Sequence, residues 1–503
     1  MDVQAIAGAI QDVEADAIIV NLFEDVEAPA GATKAVDQAL DGAVSDLLAA
    51  GDFDGEAGQV AVLYPRGMIP ASRVILVGLG PRESFDLEAV RRAAAHAIRK
   101  ADDLNVRHVA SILHGAGAGG LSVVEAAQAV TEGSLMALYR YRKSGEGSEE
   151  GEVELEKLDL VIFDEKDVPA AQEGVDVGTA VATGVTVTRD LVNLPPNICT
   201  PAYMADVASQ SAAMTGMRVQ VLEHGQMQAL GMGALLAVAQ GSDTPPRFII
   251  LEHNADRAAE LDSIVLVGKG VTFDTGGYSL KSRQGMSTMK GDMAGAAAVI
   301  GAMRAIAALD VPLHVVGLAP AADNMINGHA YRPQEVITAS NGVTIEIIST
   351  DAEGRMLLAD ALVFARRFEP AAVVDIATLT GACLTALGGV AAGVFCTDDR
   401  LQNTLLAAAE ATSEKLWPLP LFPEYEKTLE SQTADIKNSG GAHSGVGSSA
   451  TFLKHFVDYP AWAHVDMAGL EFDAKDIPYA PEKGATGYGV RLLVDFVRRW
   501  GQQ

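Results

Sequence analysis

Several runs in this chain are apolar or β-branched at nearly every position, where a half-exposed strand would alternate. Ser263–Val267, Leu313–Pro320 and Ala371–Ala377 are the clearest. A strand without a polar face must be covered on both sides, which points to helices flanking a largely parallel sheet. The segments 293–309, 355–368 and 400–412 carry apolar residues at helical spacing between such runs, and 248–252, 344–350 and 393–397 read as further buried strands. The first third alternates in the same way. Strand-like runs at 17–23, 59–64, 73–80, 106–113 and 157–163 are interleaved with helical patterns at 86–104 and 123–142. A helical segment at 170–192 ends at Asn193-Leu194-Pro195-Pro196-Asn197, a strong stop signal. The expected fold is α/β with two domains. A smaller N-terminal α/β domain spans 1–168, a connecting helix 169–192, and a larger C-terminal α/β domain 193–503, with a mixed central sheet flanked by helices. The acidic Gly/Ser/Glu stretch Ser144–Glu156 reads as an exposed loop.

Composition narrows the function. The 503 residues exceed one ordinary core. Cys199, Cys383 and Cys396 are odd in number and form no CxxC pair, so a reducing compartment fits best. The N-terminus lacks a basic segment followed by an apolar one, and no charge-free apolar run reaches about 18 residues. The expectation is a cytoplasmic protein with no membrane span; Met293–Leu309 comes nearest but is short and carries Arg304. A formal net charge of −29 argues against nucleic-acid binding, which needs Lys/Arg patches.

Two glycine-bearing segments concentrate charge. Val267–Gly277 contains Lys269 and Asp274, and is followed by Lys281 and Asp292; Ser349–Arg355 contains Asp351, Glu353 and Arg355. Each residue alone has an ordinary explanation. Asp292 directly precedes a helix, as an N-cap does. Asp274 precedes Thr-Gly-Gly, a turn. Asp351 and Glu353 suit a helix N-terminus. Together they fall where strands end and helices begin, the place at which open α/β sheets bind ligands. Clustered carboxylates repel unless cations neutralise them, so a two-metal hydrolytic site is the first hypothesis. Carboxylate donors suit Mn²⁺, Mg²⁺ or Zn²⁺. No HExxH occurs, and the histidines are scattered, with His464 the one expected nearest the crevice. His114–Gly120 contains GxGxxG without a clear helix start, and Ser287–Lys290 matches SxxK without its companion motifs; neither carries a reading.

These segments resemble the leucyl aminopeptidase (M17) family of two-metal exopeptidases. That family's heptad Asn-Thr-Asp-Ala-Glu-Gly-Arg differs from Ser349–Arg355 only at Ser349, and its Val-Gly-Lys-Gly-x-x-Phe-Asp-x-Gly-Gly block stands complete at 267–277. Asn193–Asn197 with Thr200-Pro201, and Trp462–Gly469, extend the similarity over roughly 190–500. The resemblance implies one metal held by Lys269, Asp274, Asp292 and Glu353 and another by Asp274, Asp351 and Glu353, as Mn²⁺, Zn²⁺ or Mg²⁺, with a bridging water as nucleophile. It implies Lys281 as the group that polarises the scissile carbonyl, and Arg355 as the holder of a bicarbonate general base, aided by backbone near Gly354 and Leu379. Met289, Thr378, Leu379, Gly381 and Ala468 are implied substrate-binding positions favouring leucine-like first residues of peptides. Glu471 falls where some relatives have an apolar pocket residue, and reads as a rim glutamate. A homohexamer, a dimer of trimers, is also implied. Two other readings compete: a DNA-binding accessory role, disfavoured by the charge, and nucleotide sensing by the first domain.

Overall fold

The apolar runs form two separate mixed sheets in the computed structural model, which describes residues 1–24, 26–116, 119–142, 154–441 and 445–502. Most of the Ser144–Glu156 stretch and part of the glycine-rich loop after His114 lie outside the described residues. The chain divides into two compact units, Met1–Ala182 with Ala474–Glu482, and Thr183–Asp473 with Lys483–Gln503. The division falls within one long helix, Val168–Asn193.

The first unit holds β1 (Asp2–Ala7), β2 (Ala17–Leu22), β3 (Val60–Leu63), β4 (Val74–Gly78), β5 (His108–Ile112) and β6 (Lys157–Ile162), in the order β1-β6-β5-β2-β4-β3. Only β3 runs antiparallel to its neighbour. The sequence gives no apolar run at β1, whose residues are mostly exposed or half-buried, as an edge strand's are.

The second unit is built on β7 (Arg218–Leu222), β8 (Arg247–His253), β9 (Ser263–Gly268), β10 (Gly270–Asp274), β11 (His314–Asn324), β14 (Ala372–Ala377), β15 (Ala392–Cys396), β16 (Leu416–Pro418) and β18 (Trp462–Asp466). Their order is β16-β15-β18-β14-β9-β11-β8-β7, with β10 also on β11. The central strands β18, β14, β9 and β11 are parallel. Both faces are covered, as the continuous apolar runs require. Val265, Val267, Val316 and Leu318 join the core containing the helix Gly354–Ala365. Alternate positions on the other face meet the helix Ala294–Ala308: a β-carbon at Gly317 would lie 2.6 Å from Met303 Cγ, and one at Gly268 2.4 Å from the Gly295 carbonyl. Among the described residues, Met289–Ala308 is the one helical stretch long and apolar enough to cross a membrane, and it is 89% buried in the protein. It is a core element here.

One expectation needs correction. The run 344–350 does not supply a strand of the central sheet. Only β13 (Thr344–Glu346) is extended, and it pairs with β12 (Val336–Thr338) and β17 (Ile436–Lys437) in a small separate sheet. Ile347 still exchanges backbone bonds with Gln334 and Glu335, and beyond it the Ile348 and Ser349 N–H groups donate to the side chain of Asn438, at 2.8 and 3.2 Å.

Candidate active site

The site begins at a break in a strand. β9 and β10 both pair with β11, and Lys269 lies between them. Its N–H donates to the Ile376 carbonyl of β14 (3.1 Å), and its carbonyl accepts the N–H of Ala296 (2.8 Å) at the start of the helix beneath. The side chain then runs through space that only glycine can leave. A β-carbon at Gly354 would stand 2.4 Å from Lys269 Cε and 2.7 Å from Nζ. Past β10, the Thr275-Gly276-Gly277 turn uses two left-handed residues, φ +84° and +61°, which glycine adopts without strain. Thr350 stitches this turn to the 349–353 segment: its hydroxyl donates to the Gly276 carbonyl (2.6 Å) and accepts the N–H of Ser279 (2.7 Å).

Seven expected residues meet here. Lys269 Nζ contacts Asp292 Oδ1 (2.7 Å), Glu353 Oε1 (2.9 Å) and the Thr378 carbonyl (2.9 Å). Lys281 Nζ contacts Asp274 Oδ2 and Asp351 Oδ1, both at 2.7 Å. Thr378 donates its hydroxyl to Asp292 Oδ1 at 2.8 Å, so it braces the cluster as well as bordering it. Asp292 is not an N-cap. The helix Ala294–Ala308 has Met293 at that position and no side-chain cap, because the Asp292 carboxyl is engaged by Lys269 and Thr378.

Four carboxyl groups thus face two ammonium groups, and their pKa values record the imbalance. Burial and the Glu353 charge push Asp274 up to about 7, against the pull of Lys281 and Lys269. Burial carries Asp292 well above the usual carboxylate range although Lys269 opposes it. Asp351 is raised by burial, less the effect of its Lys281 hydrogen bond. Glu353 alone ends below its ordinary value, because Lys269 and Lys281 outweigh its burial. Burial disfavours both ammonium groups, but their carboxylate neighbours win and raise both pKa values. The donor set fits divalent cations. Carboxyl oxygens of Asp274, Asp351 and Glu353 lie within 4.8 Å of one another. Asp292 Oδ2 and Glu353 Oε2 are buried without a hydrogen-bond partner. Buried orphan oxygens beside clustered carboxyls are what a hard, multivalent cation satisfies.

The remaining expected residues sit around this centre. Arg355 is buried, donates to the Asn438 carbonyl (2.7 Å) and Ser449 Oγ (2.8 Å), and keeps a buried Nε without a partner. Burial lowers its pKa to about 10. Leu379 and Ala468 each donate a backbone N–H to Asp466 Oδ1, at 3.1 and 3.3 Å. Met289 opens a short 3₁₀ turn, and Gly381 begins the helix Gly381–Leu387. Both are solvent-accessible, as a pocket lining is. His464 is not in the crevice. It is fully buried between Phe395 and Trp462 and bonded to Asp375 at 2.5 Å.

Three supporting residues escaped the sequence reading. Asn324 donates to Asp274 Oδ1 (2.7 Å) and the Thr350 carbonyl (3.0 Å). Tyr331 donates to the same carbonyl at 2.9 Å. Asn438 holds both sides of Ser349, accepting its N–H and donating to its carbonyl at 2.7 Å. Asn324 ends an apolar strand, which was a usable signal; Asn438 lies 89 residues from Ser349 in an unremarkable loop.

Comparison with known proteins gives consistent matches. Residues 186–494 match the sequence profile of the cytosol aminopeptidase family, catalytic domain, and residues 19–144 that of its N-terminal domain. A probable cytosol aminopeptidase of Roseiflexus castenholzii is 43% identical over 505 residues, covering 100% of both chains. One of Geobacter sulfurreducens is 42% identical over 483 residues and 96% of each chain. Among solved structures, a tomato leucine aminopeptidase mutant has a TM-score of 0.87 at 34% identity, over 99% of this chain and 96% of that one. The bottromycin maturation enzyme BotP, also solved in complex with Mn, has 0.83 at 35%, over 97% and 100%.

Proposed function

The chain belongs to the cytosol aminopeptidase family, and from that premise we propose a two-metal exopeptidase that releases leucine-like first residues from peptides. The observation that carries this reading is the surplus of buried carboxyl oxygen around Lys269 and Lys281, with Asp292 Oδ2 and Glu353 Oε2 unpartnered.

Lys269, Asp274, Asp292 and Glu353 would hold one divalent ion, and Asp274, Asp351 and Glu353 the other, Mn²⁺ or Zn²⁺ being the first candidates and Mg²⁺ a third. When bound, the ions supply Lewis acidity that brings the pKa of water towards neutrality, and bicarbonate beside Arg355 supplies a general base. The protein's own groups divide the remaining work. Lys269 is sealed, with 3% of its side chain exposed, and must give up its proton to act as a ligand. Lys281 keeps 18% exposed and is the cation that can reach a substrate carbonyl, where its ammonium stabilises developing negative charge. Asn324 orients Asp274, Thr378 orients Asp292, and Asn438 fixes the turn that carries Asp351. Met289, Thr378, Leu379, Gly381 and Ala468 border the space for the first side chain, and the free α-amine of a peptide would be a ligand for one of the ions. The same reading takes the protein to be a cytosolic homohexamer.

The test is hydrolysis of leucine p-nitroanilide by metal-stripped protein re-dosed with Mn²⁺ or Zn²⁺, beside an Asp351→Ala/Glu353→Ala chain. Activity should return with metal in the parent only. A folded parent that stays inactive with every metal removes the reading.

A further inference from the structure

The loop after β18 carries a carboxyl group that the chemistry above does not use. Glu471 is half-buried, and its Oε2 accepts the N–H of Gly469 at 2.7 Å. The backbone around it is pinned: the Glu471 carbonyl accepts the N–H of Thr486 (3.1 Å), and the Leu470 carbonyl accepts the Thr486 hydroxyl (2.6 Å). The next residue, Phe472, rests on Gly291, where a β-carbon would fall 2.3 Å from its ring. That contact sets the loop against the turn Met289–Gly291. On another side Leu384, from the helix Gly381–Leu387, packs onto Gly469 and is itself exposed. Glu471 therefore stands among the elements that carry Met289, Gly381 and Ala468. Lys269 and Asp466 are near enough to act on its carboxyl, with opposite signs.

Among the described residues, no lysine, arginine or histidine forms an ion pair with Glu471. Burial raises its carboxyl pKa above the ordinary value, as a carboxyl without its own cation would show. An unpaired, half-buried acid in apolar surroundings matches a ligand with an aliphatic stem and a positive tip. We propose that Glu471 extends the substrates of this site to peptides whose first residue is lysine or arginine. Met289, Leu384 and Ala468 cover the methylene stem, and Glu471 meets the cationic end. An apolar residue at 471 would leave that charge desolvated and reject it. The inference rests on the aminopeptidase reading above.

The experiment compares full-length, metal-loaded wild type with Glu471→Gln and Glu471→Met on the p-nitroanilides of lysine, arginine and leucine. Glu471→Gln keeps the size and an acceptor for Gly469, so it covers the case in which the methionine variant folds poorly. The lysine-to-leucine ratio of kcat/KM should fall about 10- to 100-fold in the variants, the worth of one charge-assisted hydrogen bond. Calorimetric binding of L-lysinol and L-leucinol, which have no scissile bond, should show the same change. Ratios within twofold of wild type in a folded variant, by both measurements, overturn the inference while leaving leucine hydrolysis intact. A wild type that cleaves no p-nitroanilide with any metal instead removes the aminopeptidase reading, and this inference with it.

Discussion

Replacing Asn324 by alanine tests whether the cluster depends on residues that touch no ligand. Asn324 is fully buried, and its amide makes two bonds: one to Asp274 Oδ1 (2.7 Å) and one to the Thr350 carbonyl (3.0 Å). Neither acceptor is orphaned by the change. Asp274 Oδ1 keeps the N–H of Gly276, and the Thr350 carbonyl keeps the Tyr331 hydroxyl. The loss is therefore close to the net worth of the bonds themselves, about 1 kcal/mol for the carbonyl and about 1.5–3 kcal/mol for the carboxyl. With a small cavity, Asn324→Ala should cost about 3 to 4 kcal/mol in urea unfolding followed by tryptophan fluorescence. Manganese affinity should fall about 10- to 100-fold, because Asp274 loses the group that fixes its orientation. Asn324→Asp keeps the size, removes the donor and sets a like charge beside Asp274, so it should be worse on both counts. A stability change under about 0.5 kcal/mol with unaltered manganese affinity would refute the reasoning.

Other predictions concern single groups. Lys281→Met should abolish most turnover while the protein still binds manganese, checked by steady-state kinetics and equilibrium dialysis; full activity would contradict its role. Asp360 is buried, accepts the N–H groups of Leu235 (2.9 Å) and Ser340 (2.8 Å), and is pushed by burial up to about 6. Its folded pKa lies above the unfolded one, so its contribution is greatest below pH 3.8 and falls by about 3 kcal/mol as pH rises to 6; Asp360→Asn should lose that slope in urea melts across the same window. His114 has the opposite sign. Burial lowers its pKa to about 4, and its Nδ1 accepts from Asn21 Nδ2 at 2.7 Å, so stability from this group is full above pH 6.5 and lost as pH falls towards 4. An NMR titration placing the His114 midpoint near 6.5 would contradict this. Ser349→Asn should leave turnover and metal affinity close to the parent's, because Asn438 already holds that backbone on both sides.

What could be read from the sequence was local pattern and residue chemistry. β9, β11 and β14 were legible because strands buried on both faces are apolar at nearly every position. The edge strands β1 and β7 alternate in burial and resemble loops in hydropathy. The run 344–350 misled because β-branched residues favour extension, whereas the Asn438 side chain, not a neighbouring strand, takes the N–H groups of Ile348 and Ser349. From local pattern alone Asp292 read as a helix-start residue, and only the family resemblance set it beside Lys269, because that contact needs the β9–β10 break and the space left by Gly354. The charged members of the cluster stood out by type. Of their supporting amides, Asn324 had only its place at the end of an apolar strand to mark it, and Asn438, in a loop, had nothing.

The account turns on one claim, that this cluster holds two divalent cations and works through them. The direct measurement is the number of Mn²⁺ ions bound per chain, by calorimetry on metal-stripped protein in weakly buffered solution, with leucine p-nitroanilide turnover followed in parallel. Two ions per chain, proton release on binding, activity rising with occupancy, and loss of both sites in Glu353→Ala are the predicted results. Full turnover by protein with no bound metal, or two ions still bound by Glu353→Ala, would contradict it.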